Sequence, residues 1–318
     1  MEIFMQLNKI KLALGFAAAA TMAMPMVASA AADQEKAMKN ANNWAHPRGQ
    51  HDNQAYSKLT QINKGNVKNL KAAWTFATGV NRGHEGSPLV IGNMMYVHTA
   101  FPNNVYALDL NNDQKIVWSY FPKQDPSVQA VLCCDNVNRG LGFGNGKIFL
   151  QQNDGMLVAL DAKTGAKVWD ASNTDPKVGA TNTNAPHVIN DKVLTGCSGA
   201  EFGVRCFMAA YNIDDGSLAW KAMSTGPDSE VLIGADFNKE NPLYSALSVY
   251  EDVNGGNKQG GSFKKIPTDQ LQGGVADLGV KTWLKPQAVK DGWQHGGGSV
   301  WGWWPHDAKT NLVYYGTG

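Results

Sequence analysis

The sequence has little charge and no excess of either sign: 17% of its 318 residues are charged, 28 Lys and Arg against 27 Asp and Glu. Nucleic acid and anionic membranes are bound through surplus Lys and Arg, so both are poor partners for this chain. Beyond residue 30 no segment approaches the roughly 18 unbroken apolar residues of a membrane-spanning helix. Cysteine is scarce. Four residues, Cys133, Cys134, Cys197 and Cys206, are too few for a disulfide framework, and none forms the Cys-x-x-Cys pair that holds zinc. The seven histidines include no His-x-x-x-His pair, which removes the commonest helical zinc signature. Long amphipathic helical windows are absent, and the glycines around Gly142 lack both the spacing and the following helix of a dinucleotide site, which disfavours NAD.

What is present begins with a leader. Lys9 and Lys11 precede an apolar run from Leu12 to Met22, and Ala28-Ser29-Ala30 is a small-x-small cleavage pattern. Residues 1–30 therefore read as a signal peptide and 31–318 as the exported chain. Removing the leader takes away two Lys and one Glu, so a formal charge of +1 becomes zero. No Cys follows the cleavage pattern, which argues against a lipid anchor. Export permits disulfides. Cys197 and Cys206 can bridge across a loop. Adjacent Cys133 and Cys134 are either two small buried residues or a strained vicinal ring, because neighbouring Cα atoms lie about 3.8 Å apart, closer than ordinary bridges allow.

The body of the chain repeats. Ala159-Leu-Asp161-Ala-Lys-Thr164-Gly165-Ala-Lys-Val-Trp169 recurs 51 residues later as Ala210-Tyr-Asn212-Ile-Asp-Asp215-Gly216-Ser-Leu-Ala-Trp220. A third copy, Ala107-Leu-Asp109 to Trp118, lies 52 residues earlier with one extra residue, and Trp74 has similar surroundings. Ahead of each motif two apolar runs flank a turn: Pro88–Thr99 around Gly92-Asn93, Leu141–Gln152 around Gly144-Asn145-Gly146, and His187–Gly196 around Asn190-Asp191. Two hairpins per repeat of about 50 residues predict an all-β chain, a β-propeller of four-stranded antiparallel blades. Within the motif Thr164-Gly165 forms the turn, Asp161 accepts hydrogen bonds from its amides, and Trp169 packs on the neighbouring blade. Ser245 to about Gln270 breaks the pattern, and within it Asn254-Gly-Gly-Asn-Lys-Gln-Gly-Gly-Ser262 reads as a solvated loop.

His295-Gly296-Gly297-Gly298 is similar to an oxyanion segment of esterases, but Gly196-Cys197-Ser198-Gly199-Ala200 misses the Gly-x-Ser-x-Gly elbow at its last position, so a hydrolase has weak support. A different set of motifs agrees better. Gly83-His84-Glu85-Gly86, Cys133-Cys134-Asp135-Asn136-Val137-Asn138-Arg139-Gly140, Gly179-Ala180-Thr181-Asn182-Thr183, Ser198-Gly199-Ala200-Glu201 and Gly296-Gly297-Gly298-Ser299-Val300-Trp301-Gly302-Trp303 stand in the order found in quinoprotein alcohol dehydrogenases. From about Trp44 onward, the inserted loop excepted, the chain resembles the large subunits of that family that oxidise methanol.

The resemblance implies a periplasmic enzyme on an eight-bladed ring using pyrroloquinoline quinone (PQQ) and a Ca2+ or lanthanide ion. It implies that Cys133 and Cys134 close a vicinal disulfide against one face of the quinone while Trp301 stacks on the other. Glu85, Arg139, Thr183 and Ser198 would bind the quinone's carboxylates and ring oxygens, helped by the backbone of Gly199 and Ala200. Ser299, standing where the family has Thr, would keep a hydroxyl there. Glu201 would ligate the cation. For Arg139 taken by itself, a surface salt bridge is the competing reading.

The implied reaction oxidises methanol or another small primary alcohol to the aldehyde and passes electrons to a periplasmic cytochrome c; a small second subunit or a homodimer is left open. About four blades and the start of a fifth are expected. The family's Asn ligand and catalytic Asp are expected beyond Gly318, so the sequence reads as a partial one or as a truncated pseudoenzyme. The rival from another class is a non-catalytic periplasmic propeller scaffold, which needs the tryptophan repeats but neither the cysteine pair nor the Glu85, Arg139 and Glu201 set.

Overall fold

Each tryptophan-bearing repeat folds as one four-stranded antiparallel sheet. A computed structural model describes residues 32–134, 136–227, 229–231, 250–252, 263–265 and 292–318; the leader lies outside the described residues. A short helix, α1 (Ala32–Lys39), comes first. The first blade is β1 (Leu89–Ile91), β2 (Met94–His98), β3 (Val105–Asp109) and β4 (Lys115–Tyr120). The second is β5 (Leu141–Gly144), β6 (Lys147–Gln151), β7 (Met156–Asp161) and β8 (Lys167–Ser172). The third is β9 (His187–Ile189), β10 (Lys192–Thr195), β11 (Phe207–Asn212) and β12 (Leu218–Met223). In each blade spatial order follows chain order, as hairpin connections require. The turns fall at the expected residues: Gly92, Asn145, Gly146 and Asn190 have φ between 49° and 66°, the left-handed region that glycine and asparagine tolerate.

Period-two alternation divides each middle blade between two cores. In β6 and β7, Ile148, Leu150, Val158 and Leu160 face the first blade, together with Trp118, while Phe149, Leu157 and Ala159 face the third, together with Trp169, Val193 and Phe207. The inner strands are buried on both faces; the outer strand β8 buries Trp169 and otherwise meets solvent. All three blades carry a register shift at the alanine of the motif, between Ala107 and Leu108, Ala159 and Leu160, and Ala210 and Tyr211. This bulge aims the following strand and was not predicted from the sequence.

The motif works as expected between blades. Asp161 accepts from the amides of Lys163 (3.0 Å) and Thr164 (2.8 Å) and from the Thr164 hydroxyl (2.9 Å). Trp118 donates its indole N–H to the Ala162 carbonyl at 3.1 Å, and Trp169 does the same to Ile213 at 3.1 Å. Each tryptophan thus seals against the turn of the next blade. Trp220, which meets no such turn among the described residues, is 37% exposed. The run around Trp74 pairs with no strand among the described residues.

Three further features complete the frame. Cys197 and Cys206 are bridged, tying the end of β10 to the start of β11. In the stretch that breaks the repeat, β13 (Tyr250–Asp252) and β14 (Phe263–Lys265) form an antiparallel pair, while the glycine-rich run read as a solvated loop, residues 254–262, lies outside the described residues. β15 (His306–Asp307) and β16 (Leu312–Val313) form the last hairpin, and the His306 amide donates to the His51 carbonyl. There His46 lies 4.6 Å from His187 and 5.4 Å from His51, ring centre to ring centre, and His51 lies 5.5 Å from His306. No helix among the described residues is long and apolar enough to cross a membrane.

Candidate functional site

Four connecting segments converge on a cleft of about 350 Å³. The segment between β4 and β5 brings Cys133, Cys134 and Arg139; that between β8 and β9 brings Thr183. The segment between β10 and β11 supplies Ser198, Gly199, Ala200 and Glu201, and the stretch before β15 supplies Ser299 and Trp301. Ten of the eleven residues singled out in the sequence therefore line one cleft. Glu85 does not line it but reaches it indirectly, its carboxylate 3.2 Å from Arg139 Nε.

Arg139 is the centre of the arrangement. It is 5% exposed, so the surface salt bridge is not its setting. Its Nη1 donates to the Thr183 hydroxyl (2.8 Å) and carbonyl (3.2 Å) and to the Trp301 carbonyl (3.3 Å), and the guanidinium lies 4.7 Å over the Trp301 ring. No described residue takes a hydrogen bond from Nη2. A buried guanidinium with its Nε and Nη1 held keeps Nη2 as its unclaimed donor group, which a carboxylate or a ketone oxygen can take. Gly86 lets the Arg139 backbone and the His98 ring come close: a Cβ there would stand 2.4 Å from the His98 ring and 2.7 Å from the Arg139 carbonyl carbon. Burial pushes His98 down to about 4, so the group behind Arg139 is neutral and adds no repulsion.

The second wall is made of hydroxyls and backbone. Thr183 and Ser198 oxygens lie 2.9 Å apart, and Thr181 and Ser198 exchange backbone hydrogen bonds of 3.1 and 2.9 Å. Gly199 has φ 120°, and a Cβ on it would meet the Gly179 carbonyl oxygen at 2.2 Å, so no other residue fits. The chain then makes a 3-10 turn, Ala200–Phe202, which carries Glu201 to an exposed position at the rim. Ser299 is 4% exposed and pairs with Gly318 through two backbone hydrogen bonds of 3.2 Å. Trp301, 44% exposed, supplies a flat apolar surface.

The cysteine pair departs from both sequence readings. Cys133 and Cys134 are exposed rather than buried, and they are two free thiols with sulfurs 3.0 Å apart rather than a disulfide. Cys134 already holds φ 57°, and closing a ring between neighbouring residues would also require a distorted peptide. The hydrogen bond with Cys134, then burial, then the charges of Cys134 and Glu201 push the Cys133 thiol up to about 11, with Arg139 opposing. Two residues with no assigned role also emerge. Gly318 lines the cleft, and Trp303 donates its indole N–H to the Arg139 carbonyl at 3.1 Å. The Trp-x-Trp spacing in the Gly296–Trp303 motif was the available signal for the second. The esterase-like glycines are structural, Gly297 accepting from the Cys206 amide at 3.1 Å.

A flat, polyanionic, quinone-type ligand fits this donor set: one buried cation, paired hydroxyls, a glycine-lined backbone edge and an aromatic face. A hard cation takes about six to eight oxygen ligands. Among the described residues no group of three or more His, Cys, Asp or Glu converges to hold a metal, so Glu201 alone does not make such a site.

Comparison with known proteins agrees with this geometry. Residues 44–240 match the family model described as PQQ, glucose/ethanol/alcohol dehydrogenase, β-propeller domain. A lanthanide-dependent methanol dehydrogenase of Methylorubrum extorquens is 48% identical over 84% of this chain and 39% of the relative. Subunit 1 of the cytochrome c methanol dehydrogenase of the same organism is 45% identical over 88% of this chain and 40% of the relative. The solved structure of a europium-containing methanol dehydrogenase superposes with TM-score 0.74 at 42% identity, covering 90% of this chain and 44% of that one. The chain thus spans less than half the length of these relatives. With the blades, the cleft and these likenesses together, it belongs to the PQQ-dependent alcohol dehydrogenase β-propeller family.

Proposed function

We propose that this chain contributes the quinone-binding half of a PQQ- and metal-dependent dehydrogenase that oxidises methanol or another small primary alcohol to its aldehyde in the periplasm. The observation that carries the reading is Arg139: a buried guanidinium that lines the cleft, held at Nε by Glu85 and at Nη1 by Thr183, with Nη2 left as a donor. Arg139 would bind an acidic or ketone oxygen of the quinone, with Thr183, Ser198 and Ser299 as hydroxyl partners and the amides of Gly199 and Ala200 beside them. Trp301 and the Cys133–Cys134 pair would bound the ring system, and Glu85 keeps the Arg139 charge in register. When bound, the quinone supplies a two-electron acceptor for the alcohol carbon, chemistry that no side chain of this protein provides.

Glu201 is the carboxylate this chain offers to Ca2+ or a lanthanide ion; the remaining oxygens would come from the ligand and from groups outside the described residues. The same holds for the base that takes the hydroxyl proton. Electrons would leave to a periplasmic cytochrome c, and a small second subunit or a homodimer is the proposed setting. Leader residues 1–30 support export.

The test is titration of the purified chain with PQQ, followed by quenching of tryptophan fluorescence and by quinone absorbance, then alcohol-dependent dye reduction with Ca2+ or a lanthanide ion present. Saturable binding abolished in Arg139→Ala is the expected result. No quinone binding would leave the scaffold reading in its place.

A further inference from the structure

The two loops that bring Arg139 and Thr183 to the cleft are joined from behind by one buried side chain. Asn153, in the turn between β6 and β7, is 0% exposed. Its Nδ2 donates to the Val137 carbonyl at 3.1 Å and to the Asn182 carbonyl at 2.8 Å. Those carbonyls belong to the peptides next to Asn138 and Thr183, one residue short of the Arg139 amide and directly before the Thr183 amide. The orientation of the Asn153 amide is fixed by its neighbours. Asn103 Oδ1 accepts from the Asn153 backbone amide (2.9 Å) and from Gln124 Nε2 (2.9 Å). That leaves Asn103 Nδ2 as donor to Asn153 Oδ1 at 2.8 Å, so Asn153 Nδ2 faces the two carbonyls, which can only accept. Every polar atom of the side chain is used, and both loops depend on the same NH2 group.

We infer that Asn153 is a positioning residue of the cleft, a cross-brace that sets the separation of the Arg139 loop from the Thr183 loop and so holds the guanidinium against the Thr183 hydroxyl. It touches no ligand and acts through its two carbonyl contacts. Besides those of Asn153, the described hydrogen bonds between these loops are the Arg139 amide to the Thr183 carbonyl (3.1 Å) and the guanidinium bonds themselves. Without the brace, one backbone hydrogen bond and the Arg139 side chain are the hydrogen bonds left between the loops, and that side chain must also bind the ligand. The inference rests on the quinone reading for its functional consequence, but the brace itself does not.

The test is Asn153→Ala in the full chain, read in two independent ways. Amide exchange should accelerate by about tenfold over residues 137–139 and 181–183, the cost of one buried hydrogen bond, and stay unchanged across the β6–β7 ladder. Affinity for PQQ should fall by about tenfold in wild-type background and by much less in an Arg139→Lys background, because coupled residues give non-additive effects. Exchange that rises uniformly, or not at all, would overturn the brace. If exchange changes as expected while even the wild-type chain binds no PQQ, the quinone reading fails and the brace stands. Faster exchange with unchanged PQQ affinity would overturn the positioning role. Asn153→Ser, which retains one donor, is the second variant and carries the same comparison if Asn153→Ala does not fold.

Discussion

Gly165 lies against the face of Trp118, so close that a Cβ on the glycine would stand 2.6 Å from the indole ring, and its φ is 73°. The same pair recurs one blade on, where a Cβ on Gly216 would meet Trp169 at 2.5 Å. The glycine of the repeat is therefore required twice, once for the turn and once for the ring above it. Gly165→Ala should destabilise the chain by about 2 to 4 kcal/mol, combining left-handed strain with overpacking. Gly146, at φ 66° with nothing within 4 Å of a Cβ, is the control. Gly146→Ala should cost only about 1 kcal/mol. Urea denaturation midpoints of the two variants should separate accordingly; equal midpoints would mean the ring contact contributes nothing.

The buried histidines make stability fall in acid. Burial pushes His187 down to about 3 and His98 to about 4, and burial, with the charges of His187 and His51, also holds His46 well below the ordinary histidine range. Burial also lowers His51, where Glu35 and Asp52 oppose it. An unfolded histidine takes up its proton near pH 6.5, so above that pH these groups add no dependence. Below it the unfolded chain binds protons the folded chain refuses, and each such histidine costs about 1.4 kcal/mol per pH unit. Stability should therefore drop as pH falls from about 6.5, continuing to about 4 for His98 and about 3 for His187. His187→Asn should flatten that slope between pH 6.5 and 4.5, measured by urea denaturation at each pH. An unchanged slope would place the acid sensitivity elsewhere.

The cysteines can be counted. Denatured without reductant, the chain should release two reactive thiols to a disulfide dye, because Cys197–Cys206 is bridged and Cys133 and Cys134 are free. In the folded chain Cys133, pushed up to about 11, should alkylate slowly at neutral pH and faster as the pH rises. A count of zero would mean that the neighbouring pair has closed into the ring the family resemblance implies.

At the cleft, Arg139→Lys should weaken PQQ binding by about ten- to hundredfold, since one ammonium cannot hold Glu85 and Thr183 and still present a separate donor group to the ligand. Glu85, 3.2 Å from Arg139 Nε, would lose its partner as well. Thermal melting should change less than affinity, because the change sits at the cleft wall. A variant that melts much lower but binds normally would assign Arg139 to the fold instead.

Much of this was legible in the sequence because it is written in repeated local chemistry. The turns at Gly92, Asn145 and Asn190 and the Asp161–Thr164–Gly165 motif each specify their own backbone, and their recurrence names the blade. The cleft was legible for a different reason: its residues come in short runs whose order survives, although the contacts themselves span long distances, Arg139 to Trp301 across 162 residues. What could not be read was the geometry between runs. Nothing local separates a free Cys133–Cys134 pair from a ring. The bulge at Ala107, Ala159 and Ala210 has no residue signature. Asn153 reads as any turn residue, although it is hydrogen-bonded to Asn103, 50 residues away.

The contacts of Trp118 with Gly165 and of Trp169 with Gly216 all run the same way along the chain. A blade therefore carries a plug for the unit after it and a socket for the unit before it. Copied whole, such a unit inserts between any two others without new fitting, and removed whole it leaves matching ends behind. A chain of this kind can lengthen or shorten by complete units during descent, while the loops that meet at the cleft are free to change chemistry.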